Sequence, residues 1–416
     1  MSMPTSPANG WSPRAGYRRS AYPAVAPGPV GAAGAPLPVE WTPQIAPERR
    51  RGRIATIVLT VLGGLGLLAM FVVIYLSAME SSRLAGQLTW IAVALALIPL
   101  LIVLATVWWI DRWEPEPPAV LVAAFLWGAG VAAVISLVVS TSATLLVASS
   151  TGSPSGAQFF SAVVSAPIVE ESTKALGILI VFLVWRRTFN GPVDGIVYAC
   201  VIAEGFAFAE NILYFVRSTS TAELVVTFVM RGVLSPFAHP TFTACTGLAI
   251  GASARMRSSQ AWVWMTPLGL ACAIVLHAFW NGVIWSREDI GQAFILYAMI
   301  EVPVFIAWGG VVVWLRWSER MTMRARLYDY HRAGWYSPAE ITMLTTGSGR
   351  AAARRWARGR GPRASSAMKT FLKASSALAQ LRQQALDGHA EADFAAQEAS
   401  LLDRMSSSRR VFTGQA

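Results

Sequence analysis

The clearest pattern along the chain is a series of long apolar segments separated by short polar ones. Each segment exceeds the roughly 20 residues that a helix needs to cross about 30 Å of hydrocarbon. The pattern predicts about eight transmembrane helices, at residues 54–77, 87–110, 119–147, 159–185, 195–216, 224–252, 261–285 and 291–317. The predicted fold class is therefore all-α, a polytopic helical bundle in a membrane.

Composition supports this interpretation and excludes several classes of protein. Hydrophobic residues make up 54% of the 416 positions and charged residues only 14%, against about 25% charged residues in an average soluble domain. A chain this apolar is not an ordinary soluble enzyme. It is also too apolar for a disordered or nucleic-acid-coating protein, so no nucleic acid partner is expected.

The basic excess of the chain lies in two tails that flank the predicted bundle. The net charge of +11 divides into +5 for residues 1–53, −2 for residues 54–317 and +8 for residues 318–416. The N-terminal tail is rich in Pro, Ala and Gly. It is expected to be disordered, because it has too few large apolar residues to offset the entropy of ordering.

The distribution of arginine predicts the orientation in the membrane. Arginines stand before the first span and after every second one, at 49–51, 53, 112, 186, 187, 255 and 257. By the positive-inside rule both termini are predicted to lie in the cytoplasm. The preference for Arg over Lys is compatible with a GC-rich bacterial genome, and we expect a multi-pass protein of the plasma membrane.

The C-terminal tail, residues 318–416, is predicted to be partly helical. Ser337 and Glu340 are spaced as a capping box, and the Arg-, Gly- and Pro-rich stretch 350–363 is expected to be flexible. Apolar residues at three-to-four spacing over 365–387 predict a helix, and a second one near 390–405 would complete a helical hairpin. A basic tail of this kind is expected to hold anionic lipid.

Several ionisable residues fall inside the predicted spans, where a central charge costs about 2.5–3.5 kcal/mol on insertion scales. Span four carries Glu170, Glu171 and Lys174, and two adjacent carboxylates are too costly there to lack a function. The other intramembrane polar residues are Glu204, Glu210, His239, His277, Asn281 and Glu301. Taken alone, His239, Glu204 and Glu301 would be interpreted as structural.

Helical spacing predicts that several of these side chains meet. Lys174 lies three and four residues from the two carboxylates of span four, so it can face both. Glu170, Glu210 and His277 fall at similar depths, between the midplane and the outer leaflet, at about 1.5 Å of rise per residue. One shared polar cavity is therefore expected.

Carboxylates and imidazoles in such a cavity suit two kinds of chemistry. A glutamate can take a proton from water while His and Asn bind the oxyanion of an attacked carbonyl, as in a hydrolase. The same Glu and His side chains are legitimate zinc ligands. The chain contains no HExxH, no GxSxG and no P-loop. A proton-coupled transporter with a carboxylate relay and a non-catalytic membrane scaffold remain open as alternatives.

Five motifs together resemble the PrsW family of intramembrane proteases. They are the Glu-Glu-x-x-Lys at 170–174, Phe-x-x-x-Glu-Asn at 206–211, Pro-Phe-x-His-Pro at 236–240, His-x-x-x-Asn at 277–281 and an acidic loop at 111–117. The resemblance covers roughly residues 105–285. The family is itself distantly similar to the CAAX prenyl-protease and bacteriocin-processing group of membrane proteases.

The resemblance implies an intramembrane endopeptidase whose substrate is a single-span, membrane-anchored protein similar to an anti-sigma factor. It assigns the essential carboxylates to Glu170 and Glu171, one of them the water-activating base. The remaining site residues that it implies are His277, Glu210, His239, Lys174 and the oxyanion donor Asn281. If a metal is bound, Glu171, His239 and His277 would hold it as zinc. A glutamate-dependent, metal-free mechanism is equally compatible with the resemblance.

Overall fold

The structure is a computed structural model, and it describes residues 47–81, 85–113, 115–186, 189–285, 292, 295–389 and 393–414. The described residues are mostly helical and include no β-strand, which confirms the all-α fold class. Among them, seven helices are long and apolar enough to cross a membrane: Gly52–Met79, Thr89–Asp111, Pro118–Thr151, Pro192–Arg217, Thr221–Ala254, Trp262–Val283 and Tyr297–Arg332. They lie where seven of the eight predicted spans were placed, so the chain is a multi-pass membrane protein.

The remaining predicted span, span four at 159–185, coincides with an unbroken helical stretch at residues 154–184. This stretch does not meet the same criteria of length and composition. It carries Glu170, Glu171 and Lys174 within five positions. The stretch is therefore least apolar at the three ionisable residues that the sequence singled out as functional.

We number the helices of the membrane unit in chain order. Helices α1 (Pro47–Ser81) and α2 (Ala85–Asp111) are followed by α3 (Pro118–Thr151) and α4 (residues 154–184). Next come α5 (Pro192–Arg217), α6 (Thr221–Phe228) with the π-helical turn Val229–Leu234, and α7 (Ala238–Ala254). Helices α8 (Trp262–Trp285) and α9 (Val302–Arg332) complete the series.

Helix α5 lies at the centre of the membrane unit and packs against α2, α3 and α7. Nearly all of its residues are buried. Its contact with α7 depends on small residues: a Cβ on Gly195 would overlap the backbone of Gly247, and a Cβ on Gly247 would overlap that of Gly195. Such glycine pairs allow two membrane helices to approach closely.

A short break at residues 235–237 divides the candidate span Thr221–Ala254 into α6 with its π-helical turn and α7. Pro236 supplies no backbone N–H, so the helical ladder cannot continue through it. Helix α7 restarts at Ala238, which places His239 in its first turn. The motif Pro-Phe-x-His-Pro at 236–240 thus places His239 at the N-terminal end of α7.

The packing of α7 against α8 makes a testable prediction. The Sγ atoms of Cys245 on α7 and Cys272 on α8 lie 3.6 Å apart, and both cysteines are reduced. Mild oxidation in the membrane should therefore link them as a disulfide, with a loss of two hydrogens that mass spectrometry of the peptides can detect. Cys272→Ser should abolish the link and Cys200→Ser should leave it intact. A linked peptide that contains Cys200 instead would contradict this helix arrangement.

The described residues form two compact units, the membrane unit up to Met323 and a second one from Arg324 onward. Beyond the end of α9, the second unit contains α10 (Pro338–Thr345), α11 (Gly347–Arg358), α12 (Pro362–Leu386) and α13 (Phe394–Thr413). Ser337 and Glu340 form the predicted capping box at the start of α10. Helices α12 and α13 pack against each other.

One expectation about the second unit is wrong. The Arg-rich stretch 350–363 was expected to be flexible, and most of it is helix α11. The side chain of Thr346 caps this helix by accepting a hydrogen bond from the N–H of Gly349. Arg350 is buried and donates to the carbonyl of Leu344 and to the hydroxyl of Ser376. Of the predicted N-terminal tail, residues 1–53, residues 1–46 lie outside the described part of the chain and residues 47–53 form the start of helix α1.

Candidate active site

Helix α4 supplies the two carboxylates and the ammonium group that form the centre of the site. Nζ of Lys174 donates to Oε1 of Glu171 at 2.9 Å and to Oε2 of Glu170 at 3.3 Å. All three residues are buried. The spacing prediction for this triad is confirmed, and the ammonium offsets much of the cost of placing two carboxylates in a low-dielectric interior.

Glu171 is held from three directions. Besides Lys174, Thr243 of α7 donates its hydroxyl to Oε2 at 2.8 Å. On α8, Nδ1 of His277 lies 3.1 Å from Oε1, so an ionised carboxylate receives the Nδ1 proton. Nε2 is the ring atom of His277 that takes no part in this contact.

His239 joins this group to a second carboxylate on α5. Its Nδ1 lies 3.0 Å from Nζ of Lys174, and because an ammonium can only donate, Nδ1 is the acceptor. Its Nε2 then carries the proton and donates to Oε2 of Glu210 at 2.9 Å. Arg231, in the π-helical turn, donates to Glu210 and to the side-chain carbonyl of Asn211. Helices α4, α5 and α7 and the π-helical turn thus meet in one hydrogen-bonded network.

The two adjacent glutamates differ in the number of hydrogen bonds that their carboxylate oxygens accept. The side chain of Glu171 is fully buried and has three partners. The side chain of Glu170 is 9% exposed, bonds Lys174 through Oε2, and has that oxygen 3.9 Å from Nδ1 of His239. Glu170 therefore has more capacity to accept a further hydrogen bond, which a reactive water would require.

The side-chain amide of Asn281 is bonded to the backbone in this structure. The family resemblance gave this residue, four positions after His277 on α8, the role of oxyanion donor. Its amide instead donates to the backbone carbonyl of Ala162 on α4 at 2.7 Å. That bond fixes α8 against the turn of α4 that precedes the glutamate pair.

Glu204 stays outside the network. It is buried on α5, and its two carboxylate oxygens have no hydrogen-bond partner among the described residues. A four-carboxylate relay through Glu170, Glu171, Glu204 and Glu210, as a transporter would need, is therefore not connected by the hydrogen bonds of this part of the chain.

Sequence reasoning missed three contributors to the site. Thr243 lies four residues after His239 on the same helix face, so its spacing could have identified it. Arg231 is an isolated arginine in an apolar segment, which is a functional signal in its own right. Phe206 was quoted only as part of a motif, yet its ring lies 3.9 Å from Nζ of Lys174 in a cation–π contact.

The acidic loop does not reach this site. Asp111 accepts a hydrogen bond from the backbone N–H of Glu116, and Glu116 accepts one from the hydroxyl of Tyr198 on α5 at 2.7 Å. Tyr198 precedes Glu210 by twelve residues, which is about 18 Å along a helix. The loop therefore fastens the α2–α3 connection to the far end of α5.

This arrangement predicts a pH effect on stability. Burial, and then the nearby carboxylate of Asp194, raise the pKa of Glu116 well above its ordinary value. The folded protein therefore keeps a proton on Glu116 that the unfolded chain loses. The stability that Glu116 contributes is complete below about pH 4.5, its ordinary pKa, and is lost as the pH rises through its raised pKa in the folded protein. Glu116→Gln should raise the melting temperature at pH 8 by roughly 2–4 °C for each kcal/mol recovered, and change it little at pH 5.

The control for that measurement is Asp403→Asn, which neutralises an exposed carboxylate. It should shift the melting temperature equally at the two pH values. If Glu116→Gln did the same, the buried carboxyl of Glu116 would not be the source of the pH dependence.

A metal site would draw on the same side chains. Glu170, Glu171, His239 and His277 each offer one ligand atom, and the four atoms lie within 4.8 Å of one another. The donor types suit zinc. However, Nζ of Lys174 is within 3.3 Å of three of these four residues. A divalent cation among them would stand beside a buried ammonium, with strong repulsion at low dielectric, so as arranged here the group does not fit a metal.

Comparison with known proteins agrees with the geometry. Residues 116–308 match the family model described as "PrsW family intramembrane metalloprotease". The chain is 35% identical over 159 residues to Protease PrsW of Clostridioides difficile (strain 630), and 28% identical over 156 residues to Protease PrsW of Bacillus subtilis (strain 168). Each match covers 38% of this chain. No solved structure gives a significant match.

The matched segment spans 63% of the first of these relatives and 66% of the second, just under two thirds of their length. Residues 116–308, which the family model matches, include every residue of the hydrogen-bonded network described above. Residues 116–308, just under half of this chain, are therefore similar to the PrsW family.

Proposed function

We propose that this protein is an intramembrane endopeptidase that hydrolyses peptide bonds of membrane-anchored proteins. The observation that carries the proposal is the buried network in which Glu170 and Glu171 share the ammonium of Lys174 and meet His239 and His277. The free energy that such a network contributes to folding is small, because the cost of removing its charged groups from water offsets most of their mutual attraction. It is suited to activating water and stabilising an oxyanion.

In the mechanism that we propose, Glu170 is the general base. Its freer carboxylate takes one proton from a water molecule, and the oxygen of that water attacks the scissile carbonyl carbon. The ammonium of Lys174, 3.3 Å from Oε2 of Glu170, stabilises the negative charge of this carboxylate. His239, whose two ring nitrogens bind Lys174 and Glu210, holds the ammonium of Lys174 in place beside Glu170.

Glu171 and His277 act as a pair in the same mechanism. Glu171, held by three donors, orients the ring of His277 through its Nδ1–H, and we place this ring beside the oxyanion that forms on the attacked carbonyl. When the tetrahedral intermediate collapses, Glu170 passes its proton to the leaving amine nitrogen. The carbon–nitrogen bond breaks, and the products are a new carboxyl terminus and a new amino terminus.

The substrate class that we propose is a single-span membrane protein, of the anti-sigma-factor type that the family resemblance implies. Two facts support it: the site residues lie on helices that form a membrane bundle, and the matched relatives carry the printed name Protease PrsW. We place the protein in the bacterial plasma membrane with both termini in the cytoplasm, on the strength of the arginine distribution.

Co-expression tests this proposal. A set of single-span reporters with terminal tags should include members that the wild-type protein converts into two fragments, with the cut in or next to the apolar segment. Glu171→Gln should stop the cleavage while the protein remains in the membrane. Equal cleavage with both proteins would show that another protease cuts the reporters.

We also expect the activity to be independent of a metal. Because Lys174 occupies the position between the candidate ligands, cleavage by the purified protein should continue at full rate in the presence of a zinc chelator. Bound zinc, measured by mass spectrometry of the metal, should be well below one atom per chain. Loss of activity with chelator and its recovery with added zinc would contradict this expectation.

A further inference from the structure

The second unit contains a long segment with basic residues and no acidic ones. Between Glu340 and Asp387 the chain has no Asp or Glu and nine Lys or Arg residues. Their positions are 350, 354, 355, 358, 360, 363, 369, 373 and 382. Ordinary solvated helices mix the two signs of charge, so this composition points to a negatively charged partner.

The fold separates a structural arginine from an exposed basic surface. Arg350 is buried, and its guanidinium donates hydrogen bonds to the carbonyl of Leu344 and the hydroxyl of Ser376. Seven of the others are exposed, and they define the basic surface: Arg354, Arg355, Arg358, Arg360, Arg363, Lys369 and Lys373. Among the described residues these seven form no ion pair. The segment therefore folds with its charges directed outward and uncompensated.

An aromatic residue accompanies this basic surface. Trp356 of α11 is 43% exposed, and the guanidinium of Arg360 lies 3.9 Å from its ring centroid. One edge of the tryptophan is fixed by Phe412, at a centroid distance of 5.9 Å. Ala353 and Ala357 face the interior of the unit. Tryptophan with arginine is the pair of residues typical of the boundary between lipid and water.

We propose that the basic surface docks on an anionic bilayer. The second unit begins within α9, whose apolar part is a candidate membrane span, so its own chain tethers it to the membrane. Clusters of four to eight Lys and Arg beside a span bind anionic headgroups, and Trp356 supplies an interfacial anchor. Charge, tether and aromatic residue together favour lipid over a soluble acidic partner.

Hydrogen–deuterium exchange of the full chain in nanodiscs tests the docking. The discs contain phosphatidylcholine alone or phosphatidylcholine with phosphatidylglycerol. Amides of α11 and the start of α12 should exchange at least about threefold more slowly in the anionic discs, because docking stabilises these helices against local opening. High salt, with a Debye length of about 3 Å, should remove the difference. Peptides from α13 should exchange alike in both kinds of disc.

Two charge-reversal variants keep the test specific. Arg354→Glu/Arg358→Glu should lose the protection, and Arg404→Glu/Arg410→Glu, the same charge change at exposed positions of α13, should retain it. Equal exchange in the two kinds of disc would overturn the proposal, and so would equal loss in both variants. Protection that appears in neutral discs only after an acidic peptide or a nucleic acid is added would also overturn it. The readout does not depend on proteolysis.

Discussion

Glu170→Gln is expected to lower the rate of substrate cleavage by about a thousandfold or more, within the range that general acid–base catalysis contributes. The amide cannot take a proton from water, although it has the shape of the carboxylate. Its oxygen can still accept the hydrogen bond from Lys174. The variant should therefore fold, enter the membrane and fail in the chemical step, which a cleavage assay at equal protein level measures.

Glu204→Gln is the matched control for this prediction. It makes the same chemical change at another buried position of the same bundle, where the carboxylate has no hydrogen-bond partner among the described residues. It should leave the cleavage rate within a small factor of the wild-type rate. If Glu204→Gln abolished cleavage and Glu170→Gln did not, the assignment of the base would be wrong.

Lys174→Met is expected to have the largest effect on stability. It removes the one positive group that contacts both Glu170 and Glu171, and breaking a buried ion pair on one side costs about 3–5 kcal/mol. Methionine fills a similar volume against Phe206, so the loss is electrostatic. A lower melting temperature in detergent, together with loss of cleavage, is the expected result.

The triple variant Glu170→Gln/Glu171→Gln/Lys174→Met separates charge from packing. It leaves no uncompensated charge on α4, so most of the lost stability should return, while the protein remains inactive. A triple variant as unstable as Lys174→Met would show that the lysine acts through packing. Wild-type stability of Lys174→Met would contradict the role of its charge.

Much of the fold was predictable because membrane helices are specified by local composition. Seven predicted spans coincide with candidate membrane spans of the structure, six of them within several residues, whereas the last continues to Arg332, beyond its predicted end at 317. The α4 triad follows from spacing on one helix. The meeting of side chains from different helices at one site was predictable only approximately. Similar depth in the membrane predicted that Glu210 and His277 lie near Glu170, but depth does not specify which atoms touch.

The remaining features depend on tertiary contacts that spacing does not encode. The sequence treats Glu170 and Glu171 alike, and only the positions of Thr243 and His277 make the second the more fully bonded of the two. Asn281 shares a helix face with His277, yet the approach of α4 gives its amide a backbone carbonyl to bind. Most of the Arg-rich segment 350–363 forms a helix although it lacks a long apolar run, because the unit around it buries Ala353 and Ala357.

The most direct test of the central claim is cleavage by the purified protein in proteoliposomes. A defined single-span protein serves as the substrate, and mass spectrometry measures its fragments. We predict two fragments whose masses add up to the substrate plus one water, cut at or within the apolar segment, formed by the wild type and not by Glu170→Gln. Cleavage by Glu170→Gln at the wild-type rate would contradict the glutamate-centred account.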